Sequence, residues 1–266
     1  MTPARYEALA DDAWLIHLGT TADAATNTLV HALAAHIRAE RPAWLRDLVP
    51  AYTSLGVFFN SNCVDADAAR DWLQVRCRVD IAATAAPPAR VIEIPVCYGG
   101  AHGEDLDAAA AELGIAPTEL IARHAASLYT VAMIGFAPGF PYLSGLDPAL
   151  ALPRLATPRT RVPAGSVAIG GAQTGIYPNE SPGGWRLLGR TPLRLFDAQR
   201  DPPSLLAPGD RVRFVAIDAD RFEAYLVRAD SQIRTQSDAA AERDLQRAAD
   251  LLQERDPTAI EGNVFV

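Results

Sequence analysis

The residues of this 266-residue chain best suited to chemistry lie between Gly135 and Leu193. Five arginines (Arg154, Arg159, Arg161, Arg186 and Arg190) fall within 37 residues. Guanidinium groups are always charged and can bind carboxylate or phosphate through two parallel hydrogen bonds, so such a set could meet on one anion. Between them run Gly135-Phe-Ala-Pro-Gly-Phe-Pro-Tyr-Leu143, Pro158 to Ile169 and Gln173 to Arg186. Glycine lets backbone approach a ligand closely, and proline lowers the ordering entropy of a loop. No simple folding rule asks for these segments.

Composition narrows the chemistry further. The chain has no lysine; its 24 basic residues are all arginine. A Walker A loop, a side-chain Schiff base and biotin attachment to this chain are therefore excluded. Any phosphate or carboxylate must be met by arginine, backbone N–H groups or a metal. The formal net charge of −8 argues against nonspecific nucleic-acid binding. No apolar run approaches the roughly 18 residues of a membrane span. The start of the chain carries Glu7, Asp11 and Asp12, unlike an export signal. Cys63, Cys77 and Cys97 are far apart and form no CxxC pair. Three reduced thiols in a cytoplasmic protein are the expectation, with no metal site.

The elements that must position these loops can be read from periodicity. Residues 1–90 are expected to form a small α/β domain. Its strands are Arg5–Leu9, Trp14–Leu18, Leu48–Tyr52 and Leu55–Phe59, and its helices are Asp23–Arg38 and Asp65–Arg76. Leu29, Val30, Leu33 and Ile37 recur at helical spacing. A second domain, 91–228, opens with strand-like Val91–Val96, helices Asp105–Leu113 and Pro117–Ala126, and a strand at Tyr129–Phe136. The interval 135–209 then holds 12 of the 20 prolines and 11 of the 18 glycines. Short apolar runs (Ser166–Ile169, Trp185–Leu188, Leu193–Phe196, Arg211–Val215) alternate with turns there, the pattern of a compact β-barrel or sandwich. A C-terminal extension, 229–266, is expected to be helical over Ser237–Glu254, with an apolar tail from Ile260. The fold class expected is α+β.

The loop segments, together with Ile94-Pro-Val-Cys-Tyr-Gly-Gly100 and Val49-Pro-Ala-Tyr-Thr-Ser-Leu55, resemble the PxpB component of bacterial 5-oxoprolinase. That family is also called KipI-like, or allophanate hydrolase subunit 1. It is similar to the first half of the carboxyltransferase domain (subdomains C and D) of biotin-dependent urea carboxylase. The resemblance runs from about Ala13 to Ile217 and is strongest over Ile94–Asp210. It implies a small α/β domain followed by a cyclophilin-like β-barrel. One departure is His102-Gly103-Glu104-Asp105-Leu106, where the family usually has an aromatic residue before the glycine. A helix-start turn is the expectation there, against a metal site of His102, Glu104 and Asp105.

The activity implied is ATP-dependent opening of 5-oxo-L-proline to L-glutamate, together with two partner components, one PxpC/KipA-like and one LamB/YcsF-like. The alternatives are an inhibitor of a sensor histidine kinase and half of a urea or amide carboxyltransferase. A lactam is a poor electrophile, and phosphorylating its oxygen requires anion-stabilising groups and exclusion of water. ATP, with or without Mg, would be held here or mainly on the partner. On this reading Arg161 and Arg186, with Arg159 and Arg190, are candidates for carboxylate or phosphate. Gly183 and Gly184 would present N–H groups to an oxyanion, Glu180 would be the base or a metal ligand, and Tyr177 would orient the ring. His124 would be a half-buried loop anchor or a general acid–base. For each residue an ordinary structural role is the competing reading.

Overall fold

The computed structural model describes residues 4–77 and 90–227. The chain divides into two compact units, Met1–Phe222 and Glu223–Val266. In the second unit residues 223–227 are helical. The expected helix at Ser237–Glu254 and the apolar tail lie outside the described residues.

The first unit begins with a four-stranded antiparallel sheet in the order β1 (Arg5–Ala10), β2 (Ala13–His17), β4 (Ser54–Phe59), β3 (Leu45–Pro50). One face is covered by helices α1 (Ala24–Glu40) and α2 (Ala66–Cys77). Asp23 caps α1, its Oδ1 accepting the Thr26 N–H at 2.7 Å, and Asp65 serves Ala68 in the same way at 2.8 Å. Val30, Leu33, Ala34 and Ile37 face inward at 3.6-residue spacing and pack with Ile16, Leu55, Val57 and Leu73. Asn27 extends this layer toward the rest of the unit. Its buried amide donates to the carbonyls of Ala51 (3.1 Å) and Ala132 (3.2 Å).

The remainder is a closed seven-stranded barrel in the order β10 (Gln173–Ile176), β7 (Pro141–Ser144), β6 (Leu128–Ile134), β13 (Arg211–Ile217), β5 (Val91–Tyr98), β12 (Arg186–Arg190), β9 (Ser166–Gly170). β9 returns to β10. Every pair is antiparallel except β13 with β5, whose residues 211–217 run parallel to 91–97. Ile94, Val96, Tyr129, Val131, Ile169 and Phe214 fill the core. Helices α3 (Leu106–Leu113) and α4 (Pro117–Ala126) lie against it. Gly114 at φ 68° ends α3, and Pro117 opens α4, where its missing N–H costs little. A separate two-stranded ribbon pairs β8 (Arg159–Val162) with β11 (Ser181–Gly183).

The mixed α and β architecture with a closed barrel is the one expected. Leu193–Phe196 is a correction: it is a loop, tied by a bridge from Phe196 to Ser204 and by the Leu205 N–H to the Leu195 carbonyl at 2.8 Å. Its leucine is buried for a different reason: Leu195 and Leu206 plug the barrel core. Of the groups in the metal reading of His102, Glu104 and Asp105, the two carboxylates are otherwise engaged. Glu104 and Asp105 both bind Arg159, and the His102 ring packs on Phe222 at 4.3 Å.

Candidate active site

The ribbon sorts the sequence's arginines into two faces. Cross-strand partners share a face of a sheet. Arg159 stands opposite Gly183 and Val162 opposite Ser181, with an irregularity in register between the two pairs. Val162 is buried against Tyr177 and Trp185, so its face is the inner one. Gly183 lies on that face too: a Cβ there would overlap the Tyr177 hydroxyl. The bulge therefore turns both Arg159 and Val162 inward. Arg161 is left on the exposed side, where Nε and Nη2 each bind Glu180 at 3.0 Å.

Tyr177 sits at the centre of the inner face. Its ring meets Phe140 at 5.2 Å and Phe136 at 6.3 Å, both edge to face. Burial raises its pKa. The backbone N–H of Trp185, directed at its oxygen, opposes that, and so do the positive charges of Arg154 and Arg159. Arg154 lies over the Trp185 ring at 5.7 Å.

Beside Tyr177 the backbone is strained. Phe136 has φ 67°, a left-handed conformation rare for an aromatic residue. The Ala137 N–H reaches the Gly135 carbonyl at 2.7 Å, closing a γ-turn of the rare hand around Phe136. The turn holds the ring outward, 64% exposed. Backbone strain of this kind clusters at functional sites.

The other candidates lie in separate bonding environments. Arg186 gives Nη2 to Glu112 at 2.8 Å and Nε to the Pro153 carbonyl at 3.2 Å. Arg190 gives Nε to the Ala164 carbonyl at 2.7 Å. The Gly184 carbonyl accepts from Leu155 at 2.7 Å. The structure thus brings together Arg159, Tyr177 and Gly183, and pairs Arg161 with Glu180. It gives each of the five arginines a different partner.

His124 is fully buried inside the barrel wall. Thr174 Oγ1 donates to the Ala168 carbonyl at 2.9 Å, so it must accept from His124 Nε2–H, also at 2.9 Å. Nδ1 is then the acceptor for the Tyr98 hydroxyl at 2.8 Å. The ring stacks on Phe214 at 4.8 Å, and burial lowers its pKa to about 3. Both nitrogens are engaged, and the imidazole is neutral.

Two residues of the site carry no strong sequence signal of their own. Asp105 accepts Arg159 Nη2 at 2.6 Å and the Leu187 N–H at 2.7 Å. Gly103 lies so close to β12 that a Cβ would fall within the Leu188 carbonyl. Both belong to the Gly103-Glu-Asp-Leu106 turn, next to His102, where the chain departs from the family pattern. Among the described residues no group of three His, Cys, Asp or Glu is placed to hold a metal. No helix among them is long and apolar enough to cross a membrane.

A closed barrel joined to a two-layer α/β sheet, with a basic and aromatic face under a separate ribbon, defines the class. Residues 4–206 match the model of the carboxyltransferase domain, subdomain C and D, and the chain belongs to that family. It is 41% identical over 229 residues to a protein of Bacillus subtilis (strain 168) named as the B subunit of 5-oxoprolinase, covering 82% of this chain and 95% of that one. Among solved structures it resembles TTHA0988 (TM-score 0.67, 40% identity), covering 78% of this chain but only 40% of that longer chain. It also shares its fold with the urea amidolyase of K. lactis (TM-score 0.64, 19% identity, 83% of this chain and 15% of that one).

Proposed function

We propose that this chain is the B component of an ATP-dependent 5-oxoprolinase, which opens 5-oxo-L-proline to L-glutamate in the cytoplasm with its PxpC/KipA-like and LamB/YcsF-like partners. The observation that carries the reading is the match along 95% of the Bacillus subtilis relative of that name. The length of TTHA0988, of which this chain covers 40%, supports a site completed by further polypeptide.

Ring opening of a lactam is slow because the amide is stabilised by resonance. Transfer of a phosphoryl group from ATP to the carbonyl oxygen creates a leaving group and an electrophilic carbon. This chain contributes positioning and charge. The face around Tyr177 orients the ring, the Gly183–Gly184 backbone offers N–H donors to the developing oxyanion, and Arg159 and Arg154 balance negative charge. Arg161 and Glu180, exposed as a pair, act at the rim facing the PxpC-like partner. Arg186 and Arg190 brace the loops through Glu112 and Ala164. His124 is a positioning residue of the barrel interior. With no metal-ligand cluster among the described residues, any Mg2+ would be carried by the nucleotide and the partner.

The test is reconstitution. This chain co-purified with its PxpC-like partner, with the LamB/YcsF-like component added, should hydrolyse ATP only when 5-oxoproline is present, releasing one L-glutamate per ATP. Absence of 5-oxoproline-dependent hydrolysis in that assembly overturns the reading.

A further inference from the structure

Three polar groups on the inner face of the ribbon are enclosed by protein and incompletely bonded. Arg159 places Nε on Glu104 (2.9 Å) and Nη2 on Asp105 (2.6 Å), which fixes the plane of its guanidinium. Its Nη1 is buried with no hydrogen-bond partner among the described residues. The Oγ of Ser181, on the facing strand, is in the same state. The backbone N–H of Trp185 is directed at the Tyr177 hydroxyl oxygen, which leaves the phenol proton to be given. Arg154, over Trp185, has no carboxylate partner among the described residues. Buried donors in folded proteins are almost always satisfied, and several unsatisfied donors on one face call for an acceptor.

We infer that the inner face of the β8–β11 ribbon is a receptor for a small oxyanion, bound by Arg159 Nη1, Ser181 Oγ and the Tyr177 hydroxyl with Arg154 at its edge. Register places Arg159 and Ser181 on this face, and the Tyr177 hydroxyl lies directly against Gly183, in the place a Cβ would take. The two acidic residues beside it are committed to orienting Arg159. Carboxylate and phosphate share the required chemistry. Assigning the carboxylate of the lactam acid rests on the function proposed above; the receptor itself does not.

The experiment titrates the full-length chain with 5-oxo-L-proline, with its carboxamide, which keeps the ring but lacks the charge, and with inorganic phosphate. Calorimetry and backbone hydrogen exchange are the readouts. One oxyanion should saturate a single site and slow exchange at residues 159–162 and 181–183 at least several-fold, while the carboxamide does neither. R159Q should weaken binding at least tenfold and S181A several-fold, with R46Q, in β3 of the four-stranded sheet, unchanged. Saturation by 5-oxoproline assigns the carboxylate; saturation by phosphate alone supports the receptor and removes the lactam acid as its ligand. If R159Q does not fold, S181A and Y177F carry the test. The receptor is overturned if neither oxyanion binds with protection of the ribbon, if the carboxamide binds equally well, or if the variants bind like the parent. A reconstituted assembly that turns over 5-oxoproline while the variants bind normally would overturn the receptor and leave the proposed function intact.

Discussion

Asp105 Oδ1 lies 2.6 Å from Arg159 Nη2, and the same carboxylate takes the Leu187 N–H on its other oxygen. One side chain thus joins the ribbon to a barrel strand. Both partners are largely buried, so D105A takes one of the two carboxylates from Arg159 and strands the Leu187 N–H. It should cost about 2–4 kcal/mol, read as a lower urea midpoint. A midpoint unchanged from the parent would show that the pair holds nothing.

Gly103 and Gly171 offer a controlled contrast. A Cβ at Gly103 collides with the Leu188 carbonyl and lies 2.7 Å from the Gly189 nitrogen, all backbone that cannot swing aside. Gly171 has φ +67° and nothing within 4 Å. G171A should cost about 1 kcal/mol from backbone conformation alone. G103A should cost about 4 kcal/mol or more, or leave the protein insoluble. Thermal unfolding of the two side by side checks the order.

His124 predicts an acid-side loss of stability. Its folded pKa, about 3, is depressed by burial, whereas the unfolded chain titrates near 6.5. Above about pH 6.5 both states are neutral and the contribution is complete. Below that the unfolded chain takes up the proton first, and stability falls by about 1.4 kcal/mol per pH unit until pH reaches about 3. His31, whose pKa burial also lowers, adds to the slope with the same sign. H124Q should be less stable at pH 7, by about 1–3 kcal/mol, and should show a shallower decline from pH 6.5 to 4.5. An unaltered slope in denaturant titrations would refute the assignment.

Phe136 trades stability for presentation of its ring. F136G removes the left-handed strain, worth about 1 kcal/mol, and gives up only the edge contacts of an exposed ring. Its melting midpoint should match or exceed that of the parent, while 5-oxoproline turnover by the reconstituted assembly falls at least tenfold. A lower midpoint with full turnover would make Phe136 a packing residue.

The Arg161–Glu180 pair is well formed but solvent-exposed, and exposed pairs contribute little to folding. R161Q should melt within about one degree of the parent. Any loss of turnover in that variant then reports on the reaction, and full turnover removes Arg161 from it.

Much of the framework is legible in the sequence because it obeys strong periodicity. α1 follows from Val30, Leu33 and Ile37, and α4 begins at the proline that announces it. Strands β7, β8, β10 and β11 look like loops from residue type alone. Each has three or four residues and is punctuated or flanked by Pro or Gly, and strand identity there comes from partners distant in sequence. Leu193–Phe196 misleads in the opposite sense: its apolar residues serve the core without a ladder. The site is half legible. Its residue types stand out, but no spacing rule reveals that Glu104, Asp105 and Glu112 would claim Arg159 and Arg186 from 54 to 74 positions away. Nor does a pattern of residue types show a bulge that sends Arg159 inward and Arg161 outward.

The parallel seam between residues 91–97 and 211–217 also sets a timetable. Because a ribosome delivers the chain from its first residue, β5 waits about 120 residues for the strand that lies beside it. Until Ile217 has emerged, the nascent chain carries an open, apolar edge of Val, Ile and Pro that neighbouring polysomes or chaperones can engage. Yield in the cell should thus respond more to translation speed and chaperone supply than the resting stability of the finished barrel would suggest.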